Sequence, residues 1–597
     1  MRMWKAAAIA GLAGALLGTG TTAANALPKA AETVGVAEDA EATEVTKTAE
    51  TVETTEVAKT TEVARTAEAT ETAGPSTTTG LNTTTGLNTS TGMSAAAIDR
   101  YVRGYLERTR LPGALVAVTK DDQVVHAAGY GRTATGEAVT ADTPMPLASL
   151  SKSFTALAVL SLADQGRIGL DDPVRKHLPE FAMADPRAGR ITVRELLQQT
   201  SGMSDRTFPE LTLPAPDTLE DAVAMLRDAP LAAEPGTRMI YHNPNYAVAA
   251  RLAEVVAGVP FADHLAAAVF RPLGMTSTTT VDVTTDLPHA GEGHVRAYGQ
   301  VVRRSHPKWF VNGSYGVVST ARDMARWLIA QNGAGGVLPE ETLRTAQRAS
   351  GVGGSHYGMG WETGKTPGGA PALRHTGWLL THNSAQTLLP ESGYGIAVVT
   401  NTGMISGDDA VILTDGLIDI IEGRTDAGAV PFTTTADPWL GGLTLLSLGA
   451  GLAGVCRARR WARRRSGQAV WRPAVRLVPW ALPIAFFLGL ADLVGFLMRR
   501  VGTLDQISYV WPALYVWAGA GALASAAVIV SRLVHLALAR RPAAPAGGRS
   551  SAEGAFPVPE PARRRPEPAP ESAGEGELRA VTDLVGDRRQ RRVGLAK

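Results

Sequence analysis

Ser149-Leu150-Ser151-Lys152 places a hydroxyl and an amine three residues apart. Residues at that spacing share one face of a helix, so a helical backbone here would bring the Lys152 amine to the Ser149 hydroxyl. Residues 154–163 are apolar on nearly every side, which predicts a buried helix. Asp164-Gln165-Gly166 ends it, with glycine just past the last turn. The positive end of a helix dipole favours a developing alkoxide and disfavours a lysine cation. Together these features fit a serine nucleophile with its own base. The same residues also fit a plain N-cap serine followed by a solvated lysine. Ser305-His306-Pro307-Lys308 repeats the pattern with no apolar helix after it and the turn signal Asn312-Gly313 close by, so the motif alone does not decide.

The surrounding elements can be read from periodicity. Ile98, Val102, Tyr105 and Leu106 fall on one helical face, and Pro112-Gly113 stops that helix. Residues 114–119 and 123–130 read as a hairpin around Lys120-Asp121-Asp122. Helical patterns then dominate, at 219–228, 246–257, 261–269 and 321–330. Strands return at 383–389 and 395–401, and residues 409–422 close as a helix. The expected sheet is thus assembled from both ends of the region, with helices inserted between.

At 597 residues the chain exceeds one ordinary domain. Its formal net charge of +1 gives no reason to expect a nucleic-acid partner, and its sole cysteine, Cys456, excludes an intrachain disulfide. Residues 1–26 read as a secretory signal peptide, with basic Met1-Arg2-Met3-Trp4-Lys5, a small apolar run and the cleavage-type Ala24-Asn25-Ala26. Residues 27–92 are a Thr/Glu-rich spacer with recurring Thr-Glu-Val and Thr-Thr-Gly-Leu-Asn units and no aromatics, a composition that cannot build a core.

Ordered signatures give residues 95–423 a family resemblance. Ser149-Leu150-Ser151-Lys152 is followed by Tyr241-His242-Asn243, then by His375-Thr376-Gly377 before the closing strands. Leu196-Leu197-Gln198-Gln199-Thr200-Ser201-Gly202, Pro272-Leu273-Gly274-Met275 and Gly316-Val317-Val318-Ser319-Thr320 support them. The region resembles the serine β-lactamase-like superfamily of class C β-lactamases, DD-peptidases, D-aminopeptidases and esterases. The resemblance implies an α/β (α+β) fold, an antiparallel sheet flanked by helices with a helical subdomain, over residues 93–425. It implies an acyl-enzyme at Ser149, with Lys152 and Tyr241 as the other catalytic groups and no metal or cofactor. Tyr241 near cations would ionise more easily. Asn243, two residues on in an extended loop, would face the same way and orient substrate or Lys152. His375, Thr376 and Gly377 would bind substrate on a sheet-edge strand, and the backbone amides of Ser149 and Trp378 would hold the oxyanion.

Two departures bear on substrate. His375 stands where β-lactamases carry lysine, so a neutral ring replaces a fixed cation, and its titration would give a pH dependence between about 5.5 and 7.5. Trp378-Leu379-Leu380-Thr381 replaces a glycine-rich turn. The expected substrate is a small peptide, ester or β-lactam, plausibly a D-amino-acid peptide of the cell wall. The competing reading is an acyl-binding sensor that has lost turnover.

Three apolar spans are expected within 437–540, at 439–455, 477–498 and 510–530, each close to the ~20 residues that cross a bilayer. The arginine cluster of residues 457–465 would be cytoplasmic by the positive-inside rule. The loop 499–509 and the hydrolase would then both lie outside, in a multi-pass plasma-membrane protein, with residues 541–597 as a disordered cytoplasmic tail. Asp492 falls in the outer half of the second span, where Arg499 or Arg500 would pair with it.

Overall fold

The computed structural model describes residues 93–334, 339–403, 409–425, 428–498 and 500–541. The expected signal peptide and spacer lie outside the described residues, as does all but the first residue of the expected tail. Gly113–Lys120, Asn383–Leu389 and Tyr394–Thr400 are buried almost end to end. They are three of the four inner strands of a six-stranded antiparallel sheet, ordered Gln123–Gly131, Gly113–Lys120, Tyr394–Thr400, Asn383–Leu389, Pro371–Trp378, Glu362–Lys365. Early and late segments therefore meet at the sheet centre, where Val116 pairs with Val398.

Each face of the sheet has its own core. Helices Ala95–Thr109 and Asp409–Ile421 cover one face, packing Ile98, Val102 and Tyr105 with Leu413 and Leu417. The other face holds the central helix Ser151–Asp164, in which every residue from Ser151 to Leu162 is buried. Phe154 stacks on Trp327 with ring centroids 3.7 Å apart, joining this helix to Ala321–Gln331. The insertion contains the expected helices Leu219–Ala224, Pro244–Ala257 and Phe261–Leu265.

Two further helices are long and apolar enough to cross a membrane, Phe432–Cys456 with 25 residues and Pro512–Arg540 with 29. They approach closely through small residues: a Cβ added at Gly451 would lie 2.6 Å from the Ala524 Cβ. The second expected span differs. It forms two helices, Val478–Leu488 and Leu490–Leu497, bent by 53° at Gly489. Gly489 stands at the break, where a poor helix former lets the apolar run divide into two helices.

A buried ion pair fastens the two-stranded hairpin of Gly293–Ala297 and Gln300–Arg304 to the helix Asp409–Ile421. Asp409, fully buried, accepts from Arg296 Nη2 at 2.9 Å, Tyr105 Oη at 2.8 Å and Thr402 Oγ1 at 2.6 Å. Arg296 also donates to the Thr109 carbonyl. Removing one partner of such a pair strands the other charge, at a cost of about 3–5 kcal/mol. Asp409→Ala should therefore lower the thermal unfolding midpoint of the detergent-solubilised chain by many degrees. An unchanged midpoint would show that the pair is dispensable.

Candidate active site

Ser149 lies in a single 3₁₀ turn, Ala148–Leu150, that feeds the central helix. The turn is fixed from both sides: the Ser151 hydroxyl donates to the Ala148 carbonyl at 2.6 Å and accepts the Val317 amide at 2.9 Å. Ala148 itself has φ 49°. A left-handed conformation at a non-glycine residue costs of order 1 kcal/mol and persists only where its surroundings enforce it. Here it turns the chain sharply just before the serine.

Lys152 Nζ is 3.0 Å from Ser149 Oγ, 3.0 Å from Asn243 Oδ1 and 3.0 Å from the Ser314 carbonyl. The side chain is completely buried. Burial and the nearby Arg500 charge push its amine well below the usual lysine range, against a smaller opposing pull from Glu210. A buried amine held among neutral acceptors favours the uncharged, proton-accepting form. The Ser305/Lys308 pair forms no such centre, because Lys308 reaches Asp217 at 2.5 Å.

The second motif enters from a loop-to-helix junction. Tyr241 neighbours Ser149, whose side chain favours the ionised phenol, and Lys152 Nζ lies 4.9 Å from the Tyr241 ring centroid. Asn243 has helical φ −58° and ψ −39° and precedes helix Pro244–Ala257, so the expected extended loop gives way to a helix start that still aims Asn243 at Lys152. Burial pushes the Tyr241 phenol above its ordinary range, outweighing the lowering by Ser149 and Arg500. The expected phenolate is thus corrected to a neutral phenol, because desolvation exceeds the pull of neighbouring cations.

His375, Thr376, Gly377 and Trp378 end the Pro371–Trp378 strand. The neighbouring strand pairs only as far as Arg374, opposite Glu362, so residues 375–378 form an open edge of a strand that is otherwise interior. A Cβ at Gly377 would sit 2.7 Å from the Ser149 amide nitrogen and 2.8 Å from the Leu147 carbonyl. Only glycine lets this strand approach the serine turn so closely, which brings the Ser149 amide beside Trp378. His375 is buried beside Tyr357, whose hydroxyl is 3.4 Å from Nε2, while Thr376 is exposed. Burial and the Lys152 charge push the His375 ring down to about 3, despite its bond to the Thr376 carbonyl. The expected titration between about pH 5.5 and 7.5 is therefore corrected: this ring stays neutral throughout that range.

Three groups at the centre escaped the sequence reading. Glu210 accepts from Asn243 Nδ2 at 2.8 Å and from His242 Nε2 at 3.1 Å, fixing the amide that faces Lys152. Burial would raise its carboxyl, but His242, Arg500 and Asn243 hold it at about 2. Asp205 is pushed up to about 6 by burial and by Glu210. Asp205, Glu210 and His242 offer ligand-type atoms within 4.8 Å of one another, but Glu210 is engaged as described and Asp205 accepts the Val501 amide. Ser314 follows the Asn312-Gly313 turn, whose only sequence signal was the glycine. Arg500, one of the two arginines expected to approach Asp492, has its guanidinium carbon 5.9 Å from the Tyr241 ring centroid and 5.8 Å from that of Trp378.

Comparison with known proteins gives this geometry a context. A family model described as "Beta-lactamase" matches residues 98–412. Protein flp of Staphylococcus aureus (strain N315) is 29% identical over 319 residues, which is 52% of this chain and 63% of flp. Esterase EstB of Burkholderia gladioli is 29% identical over 376 residues, covering 54% of this chain and 95% of EstB. Among solved structures, the octameric penicillin-binding protein homologue from Pyrococcus abyssi aligns with TM-score 0.49 at 23% identity, over 58% of this chain and 82% of that one.

Two tests follow from the geometry. Glu210→Ala frees the Asn243 amide, so kcat on an activated ester should fall by roughly 10- to 100-fold, the worth of a charge-assisted hydrogen bond, with Glu210→Gln losing less. Equal, negligible losses would remove Glu210 from the support of Lys152. Because His375 stays neutral well above about 3, His375→Gln should leave any inflection of the pH–rate profile between about pH 5.5 and 7.5 where it was. Loss of an inflection there would show that His375 titrates after all.

Proposed function

The chain belongs to the Beta-lactamase family of serine hydrolases, and from that premise we propose that it is a membrane-anchored hydrolase that forms an acyl-enzyme at Ser149. The observation that carries this reading is the Lys152 amine, fully buried and 3.0 Å from Ser149 Oγ. In the proposed reaction uncharged Lys152 takes the Ser149 proton as Oγ attacks a carbonyl carbon. The backbone amides of Ser149 and Trp378 stabilise the tetrahedral oxyanion. Tyr241, a neutral phenol beside Ser149, passes its proton to the departing group and regains one from protonated Lys152, so both groups end as they began. Water then attacks the acyl carbon, the bond to Ser149 Oγ breaks, and the water's proton passes through Lys152 to Oγ, releasing the acid and restoring the serine. Asn243 orients Lys152, and His375, Thr376 and Gly377 line the substrate cleft.

The substrate class is an amide or ester, with D-amino-acid peptides of the cell wall as the proposed natural target. Residues 93–425 are the hydrolase unit and 437–540 the anchor, facing the hydrolase out of the cell. The signal-type amino terminus and the arginine cluster of residues 457–465 support that orientation independently.

Purified full-length chain should be labelled on Ser149 by a fluorophosphonate and, in a separate reaction, by a labelled penicillin, with each adduct mapped by mass spectrometry. Ser149→Ala should abolish both labels, and Tyr241→Phe should lower kcat far more than it changes KM. Folded protein without an adduct would sink the acyl-enzyme reading. A stable adduct with no turnover of esters or peptides would identify a sensor instead.

A further inference from the structure

The segment joining the bent helix pair to the last long helix is built against the active site. Arg500 N donates to the Gly495 carbonyl at 2.9 Å, folding the chain back as it leaves the preceding helix. A Cβ at Gly495 would meet the Arg500 carbonyl at 2.5 Å, so this return requires glycine. The segment is then pinned along its length. Val501 N donates to Asp205, and Gln506 Nε2 donates to the Leu211 carbonyl at 2.8 Å. Arg304 Nη1 donates to the Ser508 carbonyl at 2.9 Å, and Tyr509 Oη donates to the Ser305 carbonyl at 2.9 Å. Tyr509 also packs with Val295 and Leu380, and Thr503 caps the short helix Leu504–Val510 through a reciprocal bond with Gln506.

These anchors fix where Arg500 sits. Its guanidinium stands between Tyr241 and Trp378 at the mouth of the serine site. Among the described residues its guanidinium makes no hydrogen bond and no ion pair within 4 Å; the Glu210 and Asp205 carboxyls feel its charge from farther off, so its donors remain available. Elsewhere the site offers substrate little positive charge. His375 is neutral, Lys152 is driven toward its uncharged form, and the nearest carboxylate network is occupied with His242, Asn243 and Val501. A guanidinium presents a planar fork that suits a carboxylate.

We propose that Arg500, supplied by the membrane-proximal segment, completes the active site as the residue that recognises a carboxylate on the substrate. This rests on the acyl-enzyme reading of Ser149. It makes the preferred substrate an anionic amide or ester, such as a peptide ending in a free carboxylate, and makes the anchor region part of the substrate site.

The test uses full-length protein in detergent and two substrates that differ in one group: an N-acyl-D-alanyl thioester of thioglycolate, and its twin with carboxamide in place of carboxylate. Thiol release gives kcat and KM for each. The wild type should prefer the carboxylate twin, and Arg500→Gln should cut that preference by roughly 10- to 100-fold, mainly through KM. Arg500→Lys should keep part of it, which a purely structural role would not predict. If the wild type handles both twins alike, or Arg500→Gln leaves the ratio intact while still turning both over, the proposal fails and the acyl-enzyme reading stands. If Ser149 takes no fluorophosphonate label and neither twin is cleaved, both fail.

Discussion

Burial of one amine organises the centre of this protein. Lys152 reaches the core with no carboxylate to neutralise it, and its nitrogen is met by a hydroxyl, an amide oxygen and a backbone carbonyl. Burying a lone ammonium costs far more than burying an amine, so the site drives the lysine to give up its proton. Much of the surrounding structure serves that end. Glu210 holds Asn243, Asn243 accepts Ser314 Oγ through its own carbonyl, and Thr155 holds the Gly313 carbonyl. Loops far apart in sequence thereby converge as fixed acceptors around one nitrogen.

The same desolvation sets the state of the neighbours. It keeps Tyr241 a phenol and His375 an uncharged ring. In the proposed reaction a site built this way carries a base, a proton donor and a neutral wall. Chemistry and charge recognition are then separate tasks, because a group buried deeply enough to lose its charge cannot also serve as a fixed cation.

The contact between Ser149 and Lys152, the proposed nucleophile and base, was legible in the sequence because a spacing of three residues on a helical backbone determines contact. The inner strands were legible as apolar runs, and the central helix from its uninterrupted apolar stretch and its stop at Gly166. Tyr241, Asn243 and His375 could be placed only through ordered motifs, since nothing in their spacing brings them together. Glu210 lies in Pro209-Glu210-Leu211, a stretch that reads as surface, and its role depends on a partner 33 residues away. The Ser314 carbonyl has no side-chain signature at all. Two physical expectations also misjudged the balance of effects. Proximity to cations was weighed above burial for Tyr241, and the intrinsic range of histidine above burial for His375.

The apolar region of residues 437–540 was read as anchor alone, and the break at Gly489 already shows more structure than spanning requires. A segment needed only to connect two spans would have no reason to be pinned at Asp205, Leu211, Arg304 and Ser305. Those contacts tie the packing of the long helices to the walls of the serine site through a few rigid hydrogen bonds. A cation placed by that segment takes its position from the helix pair that carries it, whereas the nucleophile takes its position from the sheet and the central helix. On the proposed roles of Arg500 and Lys152 the two parts can therefore vary separately: changes in helix packing would alter which substrates are held without touching the amine beside Ser149.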